Sequence, residues 1–209
     1  MILNSNEEFL AWAKTVHICP HPEYPRILTY TSLSNLNRLW QSPIDSREAL
    51  AFWTALFGAL GSWRTCWLYG ADGLAPYFDA SQPSPGDAVL DEIRRVVGFP
   101  DDFADAARFD YAERGNLLLL AMALDSFSWN VSYDAFLVPD HGRQFLWLDH
   151  DEVVWVFFAD DALVEPFVQK MEAAGFALPT EPPSGIKWQP WMPEESRDVA
   201  PEWPQPSES

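Results

Sequence analysis

The chain is poor in cysteine, in positive charge and in long apolar runs. It has two cysteines, Cys19 and Cys66, in 209 residues, and 13 Lys and Arg against 31 Asp and Glu. Two thiols are too few for a disulfide framework or for the paired Cys motifs of a structural zinc site. They read as reduced thiols of a cytoplasmic protein. A net charge of −18 repels nucleic acid and anionic membrane, which argues against both as partners. The longest apolar run, Leu117–Leu124, has eight residues, far short of the ~18 that mark a membrane span. The stretch MILNSNEEFLAW lacks the basic and apolar segments of an export signal, so none is expected. The phosphate-binding glycine loop and the G-x-S-x-G nucleophile elbow are also missing.

What remains is a globular composition. The chain is 48% hydrophobic and 15% aromatic, with 11 Trp, enough to bury one substantial core. The reading is an α+β single domain over residues 1–178, followed by a Pro/Trp-rich extended tail over 179–209. The tail holds 8 of the 18 prolines together with Trp188, Trp191 and Trp203. Three tryptophans have little use in a free linker, so part of the tail is expected to lie on the body.

The domain is organised around residues 132–176. Three strands are predicted near 132–138, 144–149 and 153–158, then a helix near 162–174. The turns at Pro139-Asp140-His141-Gly142 and Asp149-His150-Asp151-Glu152 separate the strands. Taken by twos, strand 144–149 is apolar on both faces, and so is strand 153–158. The sheet, mixed or antiparallel, must then be covered on both faces by helices from elsewhere. Leu163, Phe167 and Met171 give the following helix an apolar stripe, and Gly175 ends it. Pro166 fits only in its first turn.

Earlier in the chain, helices are predicted over 5–15, from Asp45 or Ser46 to about Leu60, and over 87–97. Strands are predicted at 26–31 and 64–69. The prolines at 20, 22 and 25 should exclude regular structure around them. Residues 32–44 read as irregular, 71–85 as a loop, and FPDDFADAARF as a further helical turn or two. Leu117–Leu124 has no β-branched residue, which favours a buried helix from about Glu113 to Phe127; a central strand is the alternative.

Candidate chemistry is sparse. His141 and His150 each stand beside carboxylates, but at opposite ends of one strand, roughly 25–30 Å apart along the chain, which forbids joint ligation. A His in a polar hairpin turn is expected to be exposed. His17, Cys19 and His21 alternate as strand neighbours would, yet lack a fourth ligand, so no metal and no cofactor is expected. Asp101, Asp102 and Asp105 fit a solvated helix start better than a cation site. Ser126, Ser128 and Ser132 lie near Asp125 and Asp134, without a His that the sequence can place. No residue is assigned a catalytic role.

The segment DHDEVVWVFFADDALVEPFVQKMEAAGF, within residues 130–178 of an acidic chain, resembles small immunity proteins of bacterial polymorphic-toxin systems. That resemblance implies a non-enzymatic protein that neutralises a basic toxin domain by direct binding, and it carries no functional residue over. The charge suits the same partner class. Asp101, Asp102, Asp149, Asp151 and Glu152 are the expected contact charges, and Trp188 and Trp191 the expected aromatic anchors. The alternatives are a small metal-dependent or acid–base hydrolase using the His/Asp turns, and a structural subunit that docks through its tail.

Overall fold

In a computed structural model, the described residues are 1–22, 24–32, 36–43, 45–70, 92–93, 95–98, 106–127, 134–149 and 153–180. Among them a seven-stranded sheet runs in the order β1-β6-β5-β7-β8-β9-β4, with every neighbouring pair antiparallel. Its strands are β1 (Ile2–Asn4), β4 (Asn37–Gln41), β5 (Thr65–Gly70), β6 (Ala106–Asp110), β7 (Ala135–Pro139), β8 (Gln144–Asp149) and β9 (Val153–Phe158). A separate two-stranded piece pairs β2 (Ile18–Pro20) with β3 (Leu28–Tyr30). The helices are α1 (Asn6–Thr15), α2 (Ser46–Ala59), α3 (Arg114–Phe127) and α4 (Val164–Ala173).

The predicted meander is present as β7–β8–β9, and every residue of the three strands is buried. Two cores result, one per face. Leu68, Leu137, Leu146, Val154 and Val156 point into the first, with Leu56 of α2, Leu117 and Leu120 of α3, and Phe167 of α4. Trp67, Tyr69, Phe136, Phe145, Trp147, Trp155 and Phe157 point into the second, covered by Phe9 and Ala13 of α1 and by Ile18, Leu28 and Tyr30 of the β2–β3 piece. The period-two reading of the strands is the cause: both side-chain rows are apolar, so both need a lid.

The helices form where their caps and stripes place them. The Ser5 side chain accepts from the Glu8 N–H at 3.2 Å while the Glu8 carboxylate accepts from the Ser5 N–H at 2.8 Å, a reciprocal cap. The backbone N–H of Ser5, with help from Asn4, holds the Glu8 carboxyl below the usual carboxylate range. The 117–124 run is helical, with Leu117, Leu120, Ala121 and Leu124 buried. Pro166 sits in the first turn of α4. At the other end Gly175, at φ 95°, donates to the Glu172 carbonyl and Phe176 donates to the Met171 carbonyl, both at 2.9 Å; this paired closure is a Schellman stop.

Three expectations are corrected. Residues within 32–44 form strand β4 on the outer edge beside β9. The proline-bearing segment forms β2, where Pro20 ends the strand opposite Leu28, a position that a missing N–H tolerates. The end of FPDDFADAARF is strand β6, not helix, and it lies between β1 and β5. Residues 2–4 pair with it as β1. In the predicted 87–97 helix, Glu92, Ile93, Arg95 and Val96 are helical and Val97 is a buried turn residue; the rest of that span, the 71–85 loop and residues 181–209 lie outside the described residues. Of the segment that leads into the tail, Phe176 and Leu178 pack against the helix-side core.

Candidate functional site

Helix α2 has 14 residues and is therefore about 20 Å long. Its two ends carry opposite chemistry. At its N-terminus a groove of about 650 Å³ opens between α2 and the exit from α4, lined by Gln41, Ser42, Asp45, Glu48, Gly175 and Phe176. Asp45 caps the helix, accepting from the Arg47 N–H at 2.9 Å and the Glu48 N–H at 3.3 Å. Both carboxylates are exposed, and the helix N-terminus favours their negative charge.

Buried bonds fix the groove floor. The Asp125 carboxylate accepts from the Ser42 hydroxyl at 2.7 Å and from the Trp53 indole N–H at 2.9 Å. It thereby joins α3, α2 and the chain leaving β4, which gives Asp125 a structural role. Phe176 meets Phe52 edge-on at 5.3 Å, and its carbonyl accepts from the Trp40 indole at 3.2 Å. An aromatic ring is thus held beside two exposed carboxylates.

At the C-terminus of α2 the β7–β8 turn, Asp140 to Arg143, is bolted to both covers. Gln144 donates through its amide to the Leu60 carbonyl at 2.9 Å, which supplies one of the partners a helix end lacks. Asp140 accepts from the Arg64 N–H at 3.2 Å and donates through its own N–H to the Thr65 carbonyl at 2.8 Å. On the other side, the Tyr30 hydroxyl donates to the Gly142 carbonyl at 3.1 Å. Gly142 has φ 59°, and a Cβ there would lie 2.5 Å from the Val16 Cβ. Only glycine suits both the backbone and the space.

Two clefts flank this turn, of about 480 and 590 Å³, and His141 and Arg143 line both. His141 is half-buried, where exposure was expected. Burial holds its imidazole below the ordinary value of 6.5, against the opposing pull of the Leu60 backbone and the Asp140 charge. Its Nδ1 accepts from the Arg143 backbone N–H at 3.0 Å, so the neutral ring carries its proton on Nε2. A general base needs a free lone pair within reach of its substrate. Here one nitrogen is occupied and the other is protonated, so His141 positions the turn rather than abstracting protons.

The other predicted residues separate. Asp149 is buried, 6% exposed, and accepts from the Trp155 indole at 3.1 Å; it serves the core and is not a rim charge. Asp101, Asp102, Asp151, Glu152, His150, Trp188 and Trp191 lie outside the described residues, as do Asp105, Ser128 and Ser132. His17 stands at φ 63°, before β2 begins, so His17, Cys19 and His21 do not share one strand face. Among the described residues, no three His, Cys, Asp or Glu side chains group as a metal site would. Both cysteines are free, and burial raises the Cys66 thiol and, more mildly, the Cys19 thiol. Neither is activated as a nucleophile.

Asp45, Glu48 and Phe176 were legible only as cap, first turn and helix exit. The Gly175-Phe176 pair was a usable signal, because the residue after a Schellman glycine commonly packs back on the body. Nothing local joins Arg143 to Lys170.

These elements define an α+β protein built on an antiparallel sheet buried on both faces. None of its described helices is long and apolar enough to cross a membrane. Comparison with protein-family models, with curated proteins and with solved structures finds no match for this chain.

Proposed function

We propose that the protein is a non-enzymatic binding module that captures a basic protein partner, in the manner of an immunity protein occluding a toxin domain. The observation that carries this reading is the groove at the N-terminus of α2, where exposed Asp45 and Glu48 stand beside the fixed ring of Phe176. Lys and Arg side chains suit such a surface: the carboxylates attract the head group and the ring accepts the stem or the cation. The net charge of −18 adds long-range attraction for a basic partner. Acidic residues at 101–102 and 151–152 would extend the same field.

The test is affinity capture from the native cell, followed by binding kinetics of the recovered partner. Asp45→Asn keeps a capping side chain and Glu48→Gln keeps the shape of the residue, so the double substitution removes charge without removing the helix. Weakened capture of a basic partner by that variant supports the reading. A partner that is acidic, or one bound equally well by the variant, removes this groove from the interface.

A further inference from the structure

An excess of acid this large makes any carboxylate-free surface informative. Of the charged or titratable side chains among the described residues, only His141, Arg143 and Lys170 line the helix-side cleft at the C-terminus of α2. In the cleft across the turn they are His17, Tyr30, His141 and Arg143. Among the described residues, no Asp or Glu lines either one. Of the carboxylates near Lys170 in sequence, Glu165 accepts from the Gln169 amide at 2.8 Å, and Glu172 is exposed and outside the cleft lining. Asp140 accepts from Arg64, through both the backbone N–H and the guanidinium. Asp160 accepts from the Ala162 N–H at 2.8 Å, and Asp161 is exposed at the start of the short 3-10 turn before α4.

Apart from Lys14 and Arg47, the other cations of the described residues find partners. Arg64 and Arg95 meet carboxylates, Arg38 meets a carbonyl, and Arg108 and Arg114 lie over aromatic rings. Among the described residues, the side chains of Arg143 and Lys170 have no hydrogen bond or ion pair. Both are exposed, and both line the helix-side cleft, Arg143 from the turn and Lys170 from α4. The Arg143 backbone is fixed by its bond to His141 Nδ1. The rest of the lining includes the apolar side chains of Leu60, Leu163, Pro166 and Phe167, together with the Ser62 hydroxyl and the Gln144 amide, which donates to the Leu60 carbonyl.

We propose that this cleft binds the oxyanion, phosphate or carboxylate, of a small organic molecule. The Arg143 fork takes two oxygens, Lys170 supplies the second positive charge, and the Ser62 hydroxyl is a neutral donor. A volume of about 480 Å³ lies in the range of small-molecule sites and exceeds what a bare anion fills. The apolar wall therefore takes the organic part. This site lies at the end of α2 away from the acidic groove, so it stands or falls independently of the protein-binding reading.

The experiment is calorimetric titration of the intact chain with inorganic phosphate, phenyl phosphate and benzoate at constant ionic strength. Phenyl phosphate or benzoate should bind more tightly than inorganic phosphate, and the stronger of the two identifies the head group. Arg143→Gln and Lys170→Gln should each weaken that binding by about tenfold, the scale of losing a charge-assisted contact. Both positions are exposed, so the fold should survive, and circular dichroism checks it. Arg47→Gln, an equally exposed cation near the opposite end of α2, should change nothing. Three results would overturn the proposal: no saturable binding at millimolar ligand, binding that is unchanged in Arg143→Gln, or binding lost equally in Arg47→Gln.

Discussion

The two faces of the seven-stranded sheet are closed by unequal means. One lies under three helices, and its strand side chains are mainly aliphatic: Leu68, Leu137, Leu146, Val154 and Val156. The other lies under the ten-residue α1 and two three-residue strands, and its strand side chains are mainly rings. Those rings stand in register across the sheet. Phe136 faces Trp147, which faces Trp155, with centroids 6.0 Å apart at each step, and Phe145 stacks on Phe157 at 4.8 Å. A large side chain fills space that a second or third helix would otherwise fill. The cost is polar: Asp134 and Asp149 accept from the indole N–H groups of Trp147 and Trp155, while the buried Trp67 indole on the same face has no acceptor among the described residues.

The largest expected effect breaks the ring face. Trp155→Ala should destabilise by about 3–5 kcal/mol, because it empties a large buried volume and leaves the buried Asp149 carboxylate without its indole donor. Leu146→Ala, in the same sheet but under the helices, should cost about 2–4 kcal/mol. Urea unfolding of both variants measures the difference. A wild-type midpoint for Trp155→Ala would mean that the ring face is not a core.

Next comes the hook that holds the thin cover. Gly142→Ala should cost about 2–4 kcal/mol, because a methyl group is forced into filled space and a residue with a Cβ is placed at positive φ. Gly175→Ala isolates the second term. That glycine also has positive φ, 95°, but a Cβ there meets nothing within 4 Å, so about 1 kcal/mol is expected. Equal thermal shifts in the two variants would show that the Val16 contact contributes nothing.

How much of this was legible follows from residue chemistry. The meander could be read because β8 and β9 are unbroken apolar runs with clear turns between them. α3 could be read because Leu, Ala and Met favour helix where β-branched residues are missing. β4, NRLWQ, hid because its polar residues at 37, 38 and 41 dilute the alternation, and an edge strand takes its order from its partner. β6, AARFD, hid because two alanines and an arginine carry little strand preference; β1 and β5 on either side supply the order that its composition does not. The clefts and the groove could not be read at all. The helix-side cleft joins α2 to α4, the groove joins α2 to the exit from α4, and the cleft across the turn joins the end of α1 to the β7–β8 turn; each spans more than a hundred positions, and no local pattern encodes that.

A smaller effect tests the seam where the two covers meet. In the folded protein burial depresses the His141 pKa below its ordinary 6.5, so the unfolded chain binds more protons in the interval below that value. Stability from this group is present above about pH 6.5 and is lost as the pH falls from there through the folded pKa. Protonation also turns Nδ1 from an acceptor into a donor facing the Arg143 N–H. The decline should be missing in His141→Asn, whose side-chain oxygen accepts the same bond without titrating. Urea midpoints from pH 7.5 to 5.5 compare the two, and a proton NMR titration of His141 gives its pKa directly. A pKa at or above 6.5 would contradict this account of the turn.

The smallest effect concerns association and again separates the two faces. If the groove on the helix side meets a basic partner, Asp45→Asn with Glu48→Gln should slow association by a few-fold and change dissociation less, as rim charges do. Glu7→Gln removes an equally exposed charge from α1, on the ring side, and should leave the rate close to wild type. Salt provides the control, because the screening length falls from ~10 Å at 0.1 M to ~3 Å at 1 M. The rates of wild type and groove variant should therefore converge as salt rises, while a short-range contact such as the Phe176 ring should persist. Surface-plasmon kinetics with the captured partner at several salt concentrations measures all three proteins. If Glu7→Gln slows association as much as the groove pair does, the acidity acts as a diffuse field and the groove has no special part in recognition. If no variant and no salt concentration changes the rate, the negative charge serves solubility alone.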